Sequence, residues 1–423
     1  MTQLSDDCFE FGGEMLPVAE ALARLEPMLA PVVEAESVPL TQALGRILAE
    51  DLVSTEAVPP HDNSAVDGYA VYFDDLSDNT ATTLPVGGTV AAGHPLDRQQ
   101  VRGEAIRIFT GAPMPFGEGS PAPDTVFMQE DCRAEGENVV LPAGIKRGAN
   151  RRFAGEDVKP GDRVLSQGNR LRPQDIGIAA AVGNTELQVY RPLKAAVFST
   201  GDEVQDPGAA RQPGAIFDSN RYSVSALLAG MGCLVTDLGI LPDDLGTIQA
   251  ALDQASDSHD VIVTSGGVSV GGEDHVKTAV EALGQLHLWR LAIKPGRPIA
   301  FGQVGRVPFV GLPGNPVAVM VTFLRVARPV LLKLAGARSD PSPLFPVRAG
   351  FAYEKKAGRR EYLRARIEMA PGRAPTAHKF ERDGAGVLSS MVAADGLVEL
   401  AEDITTVAEG DMVDYLPFSE VGL

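Results

Sequence analysis

Six carboxylates fall directly behind apolar runs of this chain. Asp202 and Glu203 follow AAVFSTG, Asp243 and Asp244 follow LGILP, and Glu273 and Asp274 follow VIVTSGGVSVGG. Val261, Ile262 and Val263 read as a strand buried on both faces of a parallel sheet, and the run stops at Ser265-Gly266-Gly267. Glycines just past the carboxyl end of such a strand let the backbone approach a ligand closely, with amide N–H groups left to hold an oxyanion. Carboxylates at the same edge are what a hard divalent cation beside a phosphate requires. The predicted chemistry is therefore a small anionic ligand held with a divalent cation. Taken singly, each loop also reads as a turn or a helix cap, with Asp243 or Asp244 capping the helix that follows.

Six carboxylates at one rim repel one another unless a cation or a basic partner is present. Two basic clusters could supply it: Arg290, Lys294 and Arg297 in WRLAIKPGRP, and Lys146, Arg147, Arg151 and Arg152 in IKRGANRRFAGED. Pro313-Gly314-Asn315-Pro316 closes another short strand and opens a long helix, whose amino end itself attracts anions. Outside this region the polar interruptions with most character are Ser64-Ala-Val-Asp67-Gly68-Tyr69 and Ile108-Phe-Thr110-Gly111-Ala-Pro113. Asp67-Gly68 also reads as a tight turn and Thr110 as an ordinary strand residue.

The elements that must position these residues follow from periodicity. Residues 14–50 look helical, with Pro27 and Pro31 breaking the first pattern and LTQALGRILAEDL following Pro39. From Thr82 to Val158, short β-type runs alternate with Gly and Pro, which predicts a β domain. A helix starts near Pro173 with Gln174 and Asp175 in its first turn. From Lys194 to about Gly336, strands alternate with helices. The helix at SNRYSVSALLAG is expected to be capped by Ser219 or Asn220 and to stop at Gly230, and the helix at PVAVMVTFLRVARPVLLKLAG to start at Pro316. This grammar implies a mostly parallel sheet covered on both faces, with ligands at the strand C-termini. After the Pro/Ser linker SDPSPLFP, short strands predict a small β-barrel or sandwich. The expected division is a helical, linking domain at 15–52 plus 158–192, a β-rich domain at 53–157, an α/β domain at 193–336 and a C-terminal β domain at 337–423.

The chain has 423 residues, enough for roughly three or four domains. Mean hydropathy is near zero and 44% of residues are hydrophobic, a globular composition. The net charge of −19 is unfavourable for nucleic-acid binding. No apolar run approaches the roughly 18 residues of a membrane span, and MTQLSDDCFEFGGEM lacks the basic and apolar regions of a secretory signal. Three scattered cysteines, Cys8, Cys132 and Cys233, fit a reducing cytoplasm and lack zinc-site spacing. The six histidines lie outside the motifs, so a Ser/His/Asp triad is a poor fit.

The ordered motifs DNSAVDGYAV, IFTGAPMP, FSTGDE, SGGVSVGGED, LAIKPGRP and LPGNP resemble the molybdopterin molybdenumtransferase family, of the type that includes the E domain of gephyrin. The resemblance runs from about residue 15 to the C-terminus. It implies an elongated multidomain α/β plus β subunit: a three-layer α/β molybdopterin-binding domain, a β-rich second domain and a C-terminal β-barrel-like domain. It implies a homodimer whose cleft lies between the α/β domain of one subunit and the second domain of the other. The implied reaction is magnesium-dependent insertion of molybdate into adenylylated molybdopterin, with AMP released. Molybdopterin adenylyltransferase and other cofactor-pathway proteins are the implied partners, in the cytoplasm.

Carried over by motif, Asp67 and Thr110 form the second-domain face of the cleft. Glu203, Asp243, Ser265, Gly266, Gly267 and Asp274 form the α/β face, with Asp243 and Asp274 as magnesium ligands. Lys294 matches the basic loop. Arg290, Arg297, Pro313, Gly314 and Asn315 join the glycine turn in binding the substrate. Asp157 matches another acidic position, and Arg360, Arg364, Ser389 and Ser390 are candidate molybdate contacts. This chain departs from the family pattern at Arg290 (commonly lysine), Val66 (frequently methionine) and Ala318 (frequently serine). A molybdopterin adenylyltransferase, which uses the same kind of α/β domain, and a non-catalytic dimeric scaffold remain as alternatives.

Overall fold

The computed structural model describes residues 15–117, 122–208, 210–267, 275–338 and 341–422. The α/β region is built on a six-stranded sheet. Its strands are β1 (Lys194–Thr200), β2 (Leu234–Leu241), β3 (Val261–Ser265), β4 (Gly284–Arg290), β5 (Pro298–Val304) and β6 (Val307–Leu312). Their spatial order is β2-β1-β3-β6-β5-β4. The first four in that order are parallel, while β5 runs antiparallel to both of its neighbours.

Alternation along β1 shows why the sheet is buried on both sides. Ala195 and Val197 pack with Val261, Val263, Val310 and Val224 on one face. Ala196 and Phe198 pack with Ile262, Phe309, Ile248 and Val276 on the other. Helix α1 (Asn220–Gly230) covers the first face, and α2 (Leu245–Ser256) and α3 (His275–Leu283) cover the second.

The long C-terminal helix of this region is not continuous α-helix. It runs as α4 (Pro316–Thr322), a π-helical stretch (Phe323–Ala327) and α5 (Arg328–Leu334). Pro329 explains the break, because its ring excludes the ordinary hydrogen bond one turn back.

The expectation of helix across residues 14–50 is corrected. Only Val18–Leu25 is α-helical, and it packs its Val18, Ala21 and Leu25 face onto the α/β core. Ala35–Pro39 and Ile47–Leu48 are strands flanking Glu186–Tyr190 in a three-stranded sheet. Gly45, at φ +75°, reverses the chain just before Ile47, and Ala43 and Leu48 pack against Leu165, Leu187 and Val189. Tertiary burial of these apolar residues overrides their helical spacing. The helix at Pro173–Ala181 stands where its signals place it, with the Asp175 carboxylate accepting from the Arg172 N–H.

The β-rich region holds a six-stranded sheet ordered Thr125–Met128, Gly68–Val71, Ala105–Ile108, Thr82–Val90, Asn138–Leu141, Arg133–Glu135. In the C-terminal region, Arg360–Glu368, Thr376–Lys379, Phe345–Ala349, Met412–Pro417 and Gly396–Leu400 pair in that order, and the last returns to the first. This is a closed five-stranded barrel, cored by Val347, Leu363, Val398 and Val413. No helix among the described residues is long and apolar enough to cross a membrane.

Candidate active site

The register of the sheet brings the strand ends to one edge. Thr200 lies opposite Leu241, Ser199 opposite Ser265, and Ser265 opposite Leu312. Because β5 is antiparallel, its first residue, Pro298, sits at this same edge opposite Arg290. The edge therefore gathers Gly201–Glu203, Pro242–Asp244, Ser265–Gly267, Arg290, Arg297 and Pro313–Asn315. A ligand at the carboxyl ends of parallel strands would meet all of these segments.

The Ser-Gly-Gly turn is sterically determined. Gly266 and Gly267 have φ of +94° and +64°, and a Cβ on Gly267 would stand 2.6 Å from Val276 Cγ2 and 2.7 Å from Thr200 Oγ1. Ser265 Oγ donates to the Pro313 carbonyl at 3.2 Å, which ties this turn to the next loop. Of the two glycine amides in this turn, one is left for an oxyanion. The Gly266 N–H is committed to the Leu312 carbonyl at 3.2 Å, while the Gly267 N–H makes no bond among the described residues.

Asp243 and Asp244 have different roles. Asp244 caps α2: its Oδ2 accepts from the Thr247 N–H and Oγ1, both at 2.8 Å, and these bonds hold its carboxyl below the usual aspartate range. Asp243 is exposed, and its carboxylate, like those of Asp202 and Glu203, makes no hydrogen bond or ion pair among the described residues. Glu273 and Asp274 lie outside the described residues. Among those described, no cluster of three or more His, Cys, Asp or Glu could hold a metal.

The first basic cluster divides. Arg290 and Arg297 are exposed and have no acidic partner among the described residues. Lys294 is engaged elsewhere. Ile293–Lys294 runs as a short strand beside Arg360–Glu361 of the barrel, and Lys294 Nζ donates to Glu361 Oε2 and Tyr353 OH, each at 3.1 Å. Burial pulls the Lys294 pKa down, but these two bonds outweigh it and leave it raised. The second cluster is partly neutralised: Arg147 pairs with Asp74 and Asp124, and Arg151 with Asp62.

The amino end of α4 is also partly occupied. Pro316 has no N–H to offer, and the Val317 N–H donates to the Ala385 carbonyl of the C-terminal region at 3.0 Å. Asn315 makes no side-chain cap. Asn220 holds this loop instead, with Nδ2 donating to the Gly314 carbonyl at 2.7 Å. Neither Ser219 nor Asn220 caps α1 through its side chain. Asp218 Oδ1 accepts from the Arg221 N–H, because the buried Arg221 guanidinium fixes that carboxylate from its other side.

Asp67 and Thr110 meet in the β-rich region. Asp67 Oδ1 accepts from the Thr110 N–H and from Thr110 Oγ1, both at 2.7 Å. These bonds lower the Asp67 pKa. Gly68 is not part of a free tight turn, since a Cβ there would fall 1.6 Å from the Phe127 carbonyl oxygen. Asp157 is exposed, without a side-chain partner among the described residues. No hydrogen bond or ion pair among the described residues joins Asp67, Thr110 or Asp157 to the sheet edge within the chain.

The C-terminal candidates are committed to internal partners. Arg360 pairs with Glu402 and Glu399, and the buried Arg364 donates to Ser390 Oγ and the Arg382 carbonyl. Ser389 opens a short helix. Sequence reasoning missed Glu361 and Tyr353 and read Asn220 only as a helix cap; these three set the two loops of the edge. Their partners lie 67, 59 and 94 residues away, and no local motif marks such pairs.

Comparison with known proteins covers nearly the whole chain. Residues 16–183 match the MoeA N-terminal region (domain I and II), 196–333 a probable molybdopterin binding domain, and 346–418 the MoeA C-terminal region (domain IV). A molybdopterin molybdenumtransferase of Haemophilus influenzae is 37% identical over 409 residues, covering 96% of this chain and 100% of that protein. One from a Nostoc species is 33% identical, covering 93% and 91%. The crystal structure of a molybdopterin biosynthesis moeA protein from Pyrococcus horikoshii superposes with a TM-score of 0.82 at 29% identity, covering 96% of this chain and all of that one.

Proposed function

The chain belongs to the MoeA family of molybdopterin molybdenumtransferases, and on that premise we propose that its sheet edge carries out the metal-inserting step on adenylylated molybdopterin. The protein is a transferase of molybdenum cofactor biosynthesis. The finer reading is that molybdate is the metal source and that AMP leaves as the pyrophosphate link is cleaved.

The observation that carries this reading is the meeting, at one edge, of Ser265–Gly267, Asp243 and the Pro313–Asn315 loop. A bound pyrophosphate there would meet the Gly267 N–H at close range, because no side chain intervenes. Arg290 and Arg297, lacking acidic partners, would neutralise the terminal phosphate or molybdate, and arginine grips such groups bidentately. Ser265 and Asn220 would act as positioning residues by fixing the loop opposite the turn.

Magnesium fits the donor set. Asp243 is an exposed, unpartnered hard oxygen donor at the edge, while Asp244 is withdrawn into its cap. Magnesium takes only one or two carboxylates beside phosphate oxygens and water. Asp243 and Asp274 would hold it. Its chemistry there would be to polarise the phosphoryl oxygens and offset the carboxylates.

Asp67 and Thr110 would reach the substrate from the second subunit of a homodimer in the cytoplasm. That placement suits a pair whose hydrogen bonds stay within the β-rich region of its own chain. The test is direct: purified protein, adenylylated molybdopterin, molybdate and magnesium should yield AMP. Failure to release AMP with all four present would refute the reading.

A further inference from the structure

A second concentration of positive charge lies away from the sheet edge. The segment that leads into the Pro173–Ala181 helix meets the end of α5 across a cavity of about 350 Å³, lined by Arg170, Arg172, Arg328, Arg338 and one carboxylate, Asp175. The Arg338 N–H donates to the Gly168 carbonyl at 2.9 Å, which joins the two walls. In a chain of net charge −19, four guanidiniums around one cavity require an explanation.

The carboxylate does not balance them. Asp175 is taken by Arg172 in a two-point pair, at 2.9 and 3.0 Å. Arg338 has Asp51 as a neighbouring charge. Arg170 and Arg328 have no carboxylate partner among the described residues. Arg170 donates only to backbone carbonyls, Gly45 and Gly230, both at 3.2 Å. Arg328 reaches only Ser342 Oγ, at 3.5 Å, and its Nε is sealed from solvent without an acceptor. The two guanidiniums are near enough to repel: burial first, then Arg170 and Arg325, pulls the Arg328 pKa down. Arg325 has its own partner in Glu399, so it does not draw on any counter-charge here.

An exposed and a half-buried guanidinium facing one cavity without a counter-ion are stabilised by a bound anion. We propose that this cavity is a binding site for a tetrahedral oxyanion of the phosphate, sulfate or molybdate class. Arg170 and Arg328 supply its charged donors, and the anion bridges the N-terminal sheet region to the helix that closes the α/β region. The site is separate from the substrate edge and does not depend on the proposed reaction.

The probe is inorganic phosphate titrated calorimetrically into the full chain, with sulfate and molybdate as parallel arms that identify the preferred anion. Arg170→Gln and Arg328→Gln should each weaken binding about tenfold or more, and Arg133→Gln, at an exposed arginine paired with Glu135 in the β-rich region, should leave it within twofold. Crystals of the intact protein soaked in tungstate should show an anomalous peak between Arg170 and Arg328. Absence of binding by the wild type, wild-type affinity in both cavity variants, or a tungstate peak only at the strand-end edge would overturn the proposal. Should Arg328→Gln fail to fold, Arg170→Gln and the tungstate soak still decide it, because the Arg170 side chain contacts only backbone oxygens.

Discussion

Asp67 Oδ1 receives both the N–H and the hydroxyl of Thr110, a residue 43 positions away, on the neighbouring strand region of the β-rich sheet. One carboxylate oxygen is thereby fixed and the carboxyl is held ionised, with its other oxygen left to face a partner. Thr110→Val keeps the backbone donor and removes the hydroxyl. The Asp67 pKa should then rise toward the ordinary value of 3.8, as read by carbon-detected NMR titration. Because the folded pKa is depressed, the stabilisation is present above the unfolded value and is lost as pH falls through the folded one. The mutant should therefore be less stable than the wild type near neutral pH, with the two stability curves converging as pH falls through the folded Asp67 value. AMP release should fall roughly tenfold through lost positioning. An unchanged Asp67 titration would show that the hydroxyl bond is immaterial.

Asp243 and Asp244 should separate cleanly. Asp244→Ala removes the α2 cap and should lower Tm while leaving the magnesium dependence of turnover unchanged. Asp243→Ala removes a carboxylate with no structural partner, so Tm should hold while magnesium-dependent AMP release drops about 10²-fold or more. Magnesium titrations of turnover in the two variants provide the comparison. Full activity in Asp243→Ala would remove Asp243 from the metal reading.

Gly267→Ala places a methyl group into Val276 and Thr200 at a positive φ. The conformation alone costs about 1–3 kcal/mol. Chemical denaturation should show that loss, and calorimetry should show substrate affinity reduced as well, because the turn must shift to admit the methyl and carries the Gly267 N–H with it. Retention of wild-type affinity would contradict a close backbone approach at this turn.

Lys294 tests the join between the edge and the barrel. Glu361 is fully buried; burial pushes its pKa up, but bonds from Tyr353, Lys294 and Arg359 outweigh this and leave it lowered. Lys294→Met should destabilise the protein by roughly 1–2 kcal/mol, less than for a fully buried pair because Lys294 is partly exposed and Arg359 remains. The Lys294 contribution persists below its ordinary pKa of 10.5 and is lost as pH rises through the raised folded value. The wild-type and mutant stability curves should therefore converge as pH rises through the raised Lys294 value. Parallel curves throughout would show that the ion pair contributes nothing.

The sequence announced what local chemistry can announce. Val261–Val263 followed by Gly266-Gly267 marked a buried strand and its turn, and the alternation of strands with helices from Lys194 onward gave the sheet edge. It did not announce where long-range burial decides. Residues 40–52 carry helical spacing, yet they fold as a single 3-10 turn (Leu40–Gln42) and short strands, because Ala43 and Leu48 find a core in Leu165, Leu187 and Val189. The role of Lys294 was hidden for the same reason: its position in the basic loop says nothing of Glu361, which arrives from a barrel strand 67 residues later. The loss of the Gly266 amide to Leu312 depends on the register of two strands, which no motif encodes.

The most direct measurement is a crystal structure of the protein with magnesium and a non-hydrolysable adenylylated molybdopterin analogue. The pyrophosphate should lie against the Gly267 amide and the Pro313–Asn315 loop, with Asp243 on the metal. A pyrophosphate seated anywhere other than this edge of the α/β sheet would contradict the assignment.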